Sequence, residues 1–328
     1  MLELCPACGA EVAPGLLACP NCRRLVHADR LKQLADDAGR AEAAGDPIGA
    51  LVAWRGALEL LPPRVRQREV IEGRIAGLGR QVEAGPARRS VPGTRGPWGT
   101  LAGIGTMLLL GAGKLKFLML GLTKASTFFS MFAALGVYWA AFGWKFALGL
   151  VVSVYIHEMG HVAALLRYGI RADAPLFIPG FGAVIRMRQA LGDPRQDARV
   201  GLAGPVWGLG AALASGGVFL AGGGPIWGAI AQFGAIINLF NLTPVWQLDG
   251  SRAFRSFSRS QRGLAASAVA LAWYATGEGW LLLIMIVAGA RFLFDRTESP
   301  PDRGALATYV GLVAALSALT LIPVGVAG

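Results

Sequence analysis

The sequence predicts an all-α polytopic membrane protein: about six to seven transmembrane helices preceded by a small zinc ribbon and a helical cytosolic region. Three observations carry that expectation. The chain is 54% hydrophobic and only 16% charged, with 46 Gly and a mean hydropathy of +0.50; small residues at helix contacts account for part of the glycine. From about residue 100 onward, the apolar residues gather into runs long enough to cross a bilayer. All four Cys, by contrast, lie within the first 22 residues.

Those cysteines stand in CPACGAEVAPGLLACPNC as Cys5, Cys8, Cys19 and Cys22. Two C-x-x-C pairs ten residues apart present four thiolates in the pattern of a structural zinc site. Pro after Cys5 and Cys19, and Gly after Cys8, suit its tight turns. A disulfide pair is the competing reading. The opening MLELCPACG has neither a basic start nor an apolar core, so no export signal is expected and a reducing, cytosolic setting is. Four thiolates close the shell, so this zinc is expected to hold structure and not to catalyse.

Residues 28–84 read as helices, following the ribbon at 1–27. RLKQLADDAGRAEAAGD leads through a Gly-Asp turn to IGALVAWRGALELLPPR, and a third helix starts from Val65. The small residues Ala35, Ala38 and Ala50, with Trp54, Ala57, Leu58 and Pro62, resemble a tetratricopeptide unit. That resemblance implies a docking or regulatory module for a cytosolic protein or peptide partner; a plain helical hairpin fits the same residues. Residues 85–99, rich in Gly, Pro and Arg, form a linker whose basic groups would face lipid headgroups.

The net charge of +11 does not point to nucleic acid. Residues 1–97 carry 14 Lys and Arg against 11 Asp and Glu, a near balance. The other 17 basic residues sit mostly in short loops between apolar runs, at Arg167–Arg199, Arg252–Arg262 and Arg291–Arg303, where positive-inside topology puts them. The runs cover about 101–122, 127–143, 144–166, 197–222, 225–246, 263–294 (a hairpin turning at Gly277–Gly279) and 304–326. Residues 100–295 then form the membrane core and 296–328 a C-terminal transmembrane helix. The expected location is the cell membrane, with the N-terminal region in the cytosol. Two runs precede residue 144 where that topology needs an odd number of crossings, so 101–113 or 127–143 is expected to be interfacial or re-entrant.

Within VVSVYIHEMGHVAALL, residues 151–166, stand His157, Glu158 and His161, two of the three His in the chain. Positions i and i+4 share one helix face, so both imidazoles can grip one metal ion, and Glu158 beside them can reach an attacking water. Ionisable groups in an apolar helix are costly unless a metal or polar cavity compensates them. Catalytic zinc usually takes three protein ligands. Asp249, in NLFNLTPVWQLDGSR, is the best third: Pro244 breaks the preceding helix and Gly250 permits an unusual backbone, so the carboxylate can swing toward a neighbour. An ordinary helix cap is the competing reading for Asp249.

HExGH on a membrane helix, Ala203-Gly204-Pro205, and N-x-x-P followed by LDG resemble the site-2 protease family of intramembrane zinc metalloproteases. The likeness covers about residues 100–295. It implies a zinc metalloendopeptidase in which His157, His161 and Asp249 hold zinc, Glu158 is the catalytic carboxylate, and Asn241 and Pro244 shape the substrate's entry. It further implies a transmembrane protein substrate, cut within or near its membrane segment. Val245, Trp246 and Gln247 before Leu248, and Ser251 after Gly250, depart from the usual prolines and glycines of that motif. No stretch resembles a PDZ domain, which leaves the N-terminal region as the candidate for substrate gating. PLFIPGFGAVIRMR, 175–188, reads as a short β-hairpin or a loop beside the zinc, with an edge on which a substrate strand could pair. Two rivals remain. A non-catalytic membrane adaptor could recruit a partner through residues 1–84, though it has no need of His157, Glu158 or Asp249. A metal transporter would want more acidic and His residues on separate helices than this chain offers.

Overall fold

The computed structural model describes residues 3–63, 65–84, 125–172, 175–178, 182–184, 191–297 and 299–323. The linker at 85–99 and the apolar run at 101–122 lie outside them. The chain divides into two compact units, one of residues 1–94 with 165–171 and the other of the remainder.

The first unit opens with a two-residue hairpin, β1 (Glu3–Leu4) against β2 (Glu11–Val12), antiparallel with Glu3 opposite Val12. Cys5, Val12, Cys19 and Val26 form its own small core. Three helices follow: α1 (Ala28–Ala43), α2 (Pro47–Glu59) and α3 (Arg66–Ala84). The turn between α1 and α2 is the Gly-Asp turn read from sequence. Gly45 takes φ +71°, and the Asp46 carboxylate accepts the Gly49 amide at 2.9 Å with Pro47 opening the helix. Residues 165–171 are gripped within this unit. Arg55, buried by its neighbours, donates Nε to the Tyr168 carbonyl at 2.9 Å, and Arg167 donates to the Val82 carbonyl at 2.9 Å.

In the second unit α4 (Ala125–Phe142) turns at Gly143, φ +82°, into α5 (Trp144–Arg167), whose end belongs to the first unit. The hairpin alternative holds for the stretch after it: β3 (Leu176–Ile178) pairs antiparallel with β4 (Gly182–Val184), Phe177 opposite Ala183. Then come α6 (Pro194–Leu220), α7 (Pro225–Asn241), the short α8 (Asp249–Arg255), α9 (Arg259–Thr276), α10 (Gly279–Phe294) and α11 (Arg303–Thr320). The expected turn at Gly277 is present, with φ +68° closing α9. Among the described residues, α5, α6 and α11 are long and apolar enough to cross a membrane.

One hydrophobic cluster joins α6 through α11, with Leu202, Leu239, Phe254, Val269, Leu281 and Tyr309 buried in it. The C-terminal helix is therefore packed into the membrane core. Its buried Tyr309 hydroxyl donates to the Leu242 carbonyl at 3.0 Å, just where α7 has ended ahead of Pro244. Arg262 is fully buried as well. It donates to the Asp295 and Thr297 carbonyls at 3.0 and 2.9 Å, tying the start of α9 to the end of α10.

Candidate metal centre

α5 presents His157 and His161 one turn apart, and α8 brings Asp249 to them. His157 Nε2 lies 3.1 Å from Asp249 Oδ2, His161 Nε2 lies 3.3 Å from Asp249 Oδ1, and the two Nε2 atoms are 3.2 Å apart. All three side chains are buried, as is Glu158. Bonds of about 2.0–2.1 Å to a tetrahedral zinc put neighbouring ligand atoms about 3.3 Å apart. The three distances match that spacing, and with one carboxylate oxygen as the ligand the set would take three corners and leave a fourth for water or substrate.

The imidazoles are oriented for this role. The Val200 carbonyl, 2.8 Å from His161 Nδ1, can only accept, so Nδ1 carries the proton and Nε2 keeps its lone pair. His157 is set the same way by Asn238. That amide donates Nδ2 to the Gly234 carbonyl at 2.7 Å, which turns its Oδ1 to His157 Nδ1 at 2.8 Å. Two lone pairs and a carboxylate then converge in a buried site. They repel one another unless a cation stands among them.

Helix α6 reaches this centre because it carries glycines on the facing side. A Cβ at Gly204 would run into His161 Nε2 and come within 2.7 Å of His157 Nε2. One at Gly208 would collide with the Asn238 amide, and one at Gly201 would sit 2.8 Å from Arg252 Cβ. On α5, Gly160 lets the Ala203 carbonyl approach. Asp197, in the first turn of α6, binds Arg252 Nε at 2.8 Å and Arg255 Nε at 3.0 Å, which fastens α8 and its Asp249 to α6. The β-hairpin flanks the motif: Phe177 packs with Tyr155 and Met159, and the Phe177 amide donates to Ser130 Oγ at 3.1 Å.

Asn241 is half-buried at the end of α7, and Pro244 is buried just beyond. The swing of Asp249 is not made by backbone freedom at Gly250, which lies inside α8 with an ordinary φ. Gly250 is needed for space, since a Cβ there would meet the Leu242 backbone carbonyl. The left-handed residue in this loop is Trp246, φ +50°, its carbonyl held by Ser251 Oγ at 2.7 Å. Sequence reasoning missed Asn238, Asp197 and the purpose of the α6 glycines. Asn238 left a signal, a buried amide in an apolar helix one turn ahead of Asn241.

The second cluster lies in the first unit. Cys5, Cys8, Cys19 and Cys22 converge with Cys5 Sγ 3.7 Å from Cys22 Sγ and Cys8 Sγ 3.7 Å from Cys19 Sγ. Zn–S bonds of about 2.3 Å give tetrahedral edges of about 3.8 Å. The Arg24 backbone amide favours the Cys22 thiolate, but burial and the Cys8, Cys5 and Cys19 side chains outweigh it and push that thiol up to about 11. A cation is what would let the four sulfurs share this space as thiolates.

Comparison with known proteins adds an independent finding. Residues 145–224 match the model of peptidase family M50. The resemblance to site-2 proteases is borne out. The M50 segment holds His157, Glu158, His161 and Gly204 but ends before Asp249, so the third ligand rests on geometry. A zinc metalloprotease of Methanocaldococcus jannaschii is 29% identical over 124 residues, 36% of this chain. The chain spans about a third (35%) of that relative's length. No solved structure matches. With the M50 segment and its long apolar helices, the chain is an integral membrane protein.

Proposed function

We propose that this protein is an intramembrane zinc metalloprotease that hydrolyses peptide bonds of membrane-protein substrates within or near their transmembrane segments. One observation carries the reading: two imidazoles of the M50 segment, their Nε2 atoms turned to one point beside a buried Glu, meet at zinc spacing a carboxylate from a separate helix beyond that segment. His157, His161 and Asp249 would hold the zinc, which when bound would polarise the scissile carbonyl and acidify the attacking water. Glu158 takes the proton of that water and later delivers it to the leaving amine. Asn238 and the Val200 carbonyl keep the imidazoles in the ligating tautomer.

A transmembrane substrate hides its carbonyls in its own helix and must unwind before attack. Ser130 already caps the Phe177 amide on β3, which leaves β4 as the strand on which an unwound segment would pair. Asn241 and Pro244, at the broken end of α7, shape the entry. The N-terminal region lies on the cytosolic side of the cell membrane and carries a second, structural zinc at the four Cys. A cytosolic protein or peptide partner docks on residues 1–84 and gates the substrate.

The decisive experiment compares membranes containing the unaltered protein with membranes containing Glu158→Gln. Cleavage of membrane-protein substrates should fall about 100- to 10,000-fold, while both zinc equivalents stay bound. Unchanged cleavage by that variant would overturn the assignment.

A further inference from the structure

The helical part of the first unit contains a cavity of about 420 Å³, within the size range of ligand pockets. Its floor is Trp54, Leu61 and Ile71, all buried, and Leu31, Ala35 and the exposed Val70 complete its apolar wall. The polar residues on its rim are Arg66, Gln67 and Arg74; none of the lining residues is acidic.

The two arginines differ from Arg68 and Arg40 nearby. Arg68 on the same helix is committed, donating to the Leu58 and Leu61 carbonyls at 3.2 and 3.3 Å and pairing with Glu72 at 3.1 Å. Arg40 is paired with Asp37. Arg66 and Arg74 have no ion pair among the described residues. Arg74 instead rests over the Trp54 ring, 4.9 Å from its centroid, which fixes a guanidinium at the mouth and leaves its hydrogen-bond donors free. The indole beneath is held in turn by Glu42, which accepts from Nε1 at 2.6 Å.

We propose that this cavity docks an extended acidic peptide of the form acid–x–apolar–x–acid. Arg66, Val70 and Arg74 lie at i, i+4 and i+8 on α3, so the Cα atoms of the two arginines are about 12 Å apart along the helix, and both side chains line the cavity. In an extended peptide, residues i, i+2 and i+4 point to one side, and the outer two are about 13 Å apart. Two carboxylates in that register reach both arginines while the central apolar side chain enters the cavity. The proposal concerns binding alone and is tested without any peptidase assay.

The test uses the full-length protein in detergent micelles and fluorescein-labelled, end-capped Glu-Ser-Phe-Ser-Glu, with Ser-Glu-Phe-Glu-Ser as a control of equal composition and charge. Fluorescence anisotropy should show saturable binding at least tenfold tighter for the first peptide. Arg66→Glu with Arg74→Glu should weaken it at least tenfold, and Ala35→Trp, which fills the cavity and keeps both charges, should do the same. A charge-reversal variant that loses its helical circular-dichroism signal is replaced by Arg66→Gln with Arg74→Gln, for which weaker binding is again expected. Equal affinity for the two peptides overturns the proposal, as does indifference to the charge reversal. Binding that ignores register and is displaced by phosphatidylserine vesicles would mark a lipid-headgroup site and overturns it as well.

Discussion

Four thiols on two short turns and a His-His-Asp set drawn from two helices both gather ligand atoms at zinc spacing, yet their surroundings differ in kind. Around the cysteines the backbone does the work and the side chains are partly open to solvent. Each C-x-x-C turn is closed by an amide four residues on, Gly9 to the Cys5 carbonyl at 2.9 Å and Arg23 to the Cys19 carbonyl at 2.8 Å. Around the imidazoles everything is buried, and the second layer consists of an amide side chain, a carbonyl and glycines that make room. Four sulfurs fill a coordination shell; two nitrogens and a carboxylate leave a corner open beside Glu158. A closed shell suits structure and an open one suits chemistry.

The sharpest way to break this contrast is to count zinc. The purified protein should carry two equivalents by elemental analysis. His157→Ala should lose one and retain helical structure, whereas Cys5→Ser should lose the other and disorder the first hairpin. A single variant that strips both equivalents would mean that the clusters do not load independently. Gly204→Ala comes next in size. Its methyl has no room between the imidazoles, so that variant should lose most of the bound zinc of the His-His-Asp set, with activity down about 100-fold or more, while the four-Cys equivalent stays. Overpacking of this kind typically costs about 1–3 kcal/mol, and here the strain falls on the ligands themselves.

A smaller effect is expected at Asn238. Asn238→Ala removes the acceptor that holds His157 in its tautomer and leaves the ligand set intact. Groups in this position usually contribute about 10- to 100-fold in metal affinity or activity, so zinc retention under a competing chelator should fall by that factor. Asn238→Asp keeps an acceptor and should restore much of it. Equal retention by the unaltered protein and the Ala variant would place the orientation of His157 elsewhere.

What the sequence disclosed follows the same division. The helix boundaries were legible because apolar runs end at Gly and Pro: α9 stops at Gly277, and α7 ends three residues before Pro244. The His pair was legible because i,i+4 spacing is a local property of one helix. Asp249 was legible as a carboxylate stranded at the end of an apolar run. The support around these residues was not, because it depends on which helices lie side by side. Asn238 is 81 residues from His157, and nothing local pairs them. Gly201, Gly204 and Gly208 each face a different part of the site, which is visible only once α6 is in place. Asp197 carries no local mark of its role, which depends on α8 setting Arg252 and Arg255 against it. The same limit explains Gly250, whose glycine is demanded by the approach of the Leu242 carbonyl and not by its own dihedral.

The smallest expected effect lies in the two cysteine turns, which are near copies. Cys5 donates its amide to the Ala10 carbonyl and Cys19 to the Arg24 carbonyl, both at 2.9 Å, and the residue after the second Cys is left-handed in each: Gly9 at φ +71° and Arg23 at φ +59°. A Cβ at Gly9 would meet nothing within 4 Å, so glycine is wanted there for its dihedral alone, the reverse of Gly204. Arg23 occupies the same conformation with a side chain, at a cost of about 1–2 kcal/mol that a glycine avoids, offset in part by glycine's greater freedom in the unfolded chain. Arg23→Gly should therefore hold the four-Cys zinc slightly more firmly, by about 0.5–1 kcal/mol, and Gly9→Ala should loosen it by a similar amount, with the His-His-Asp set untouched by either. Zinc release followed with a chromogenic chelator would read both shifts. Identical release from the two variants would show that the turns are shaped by the metal and not by the residues that close them.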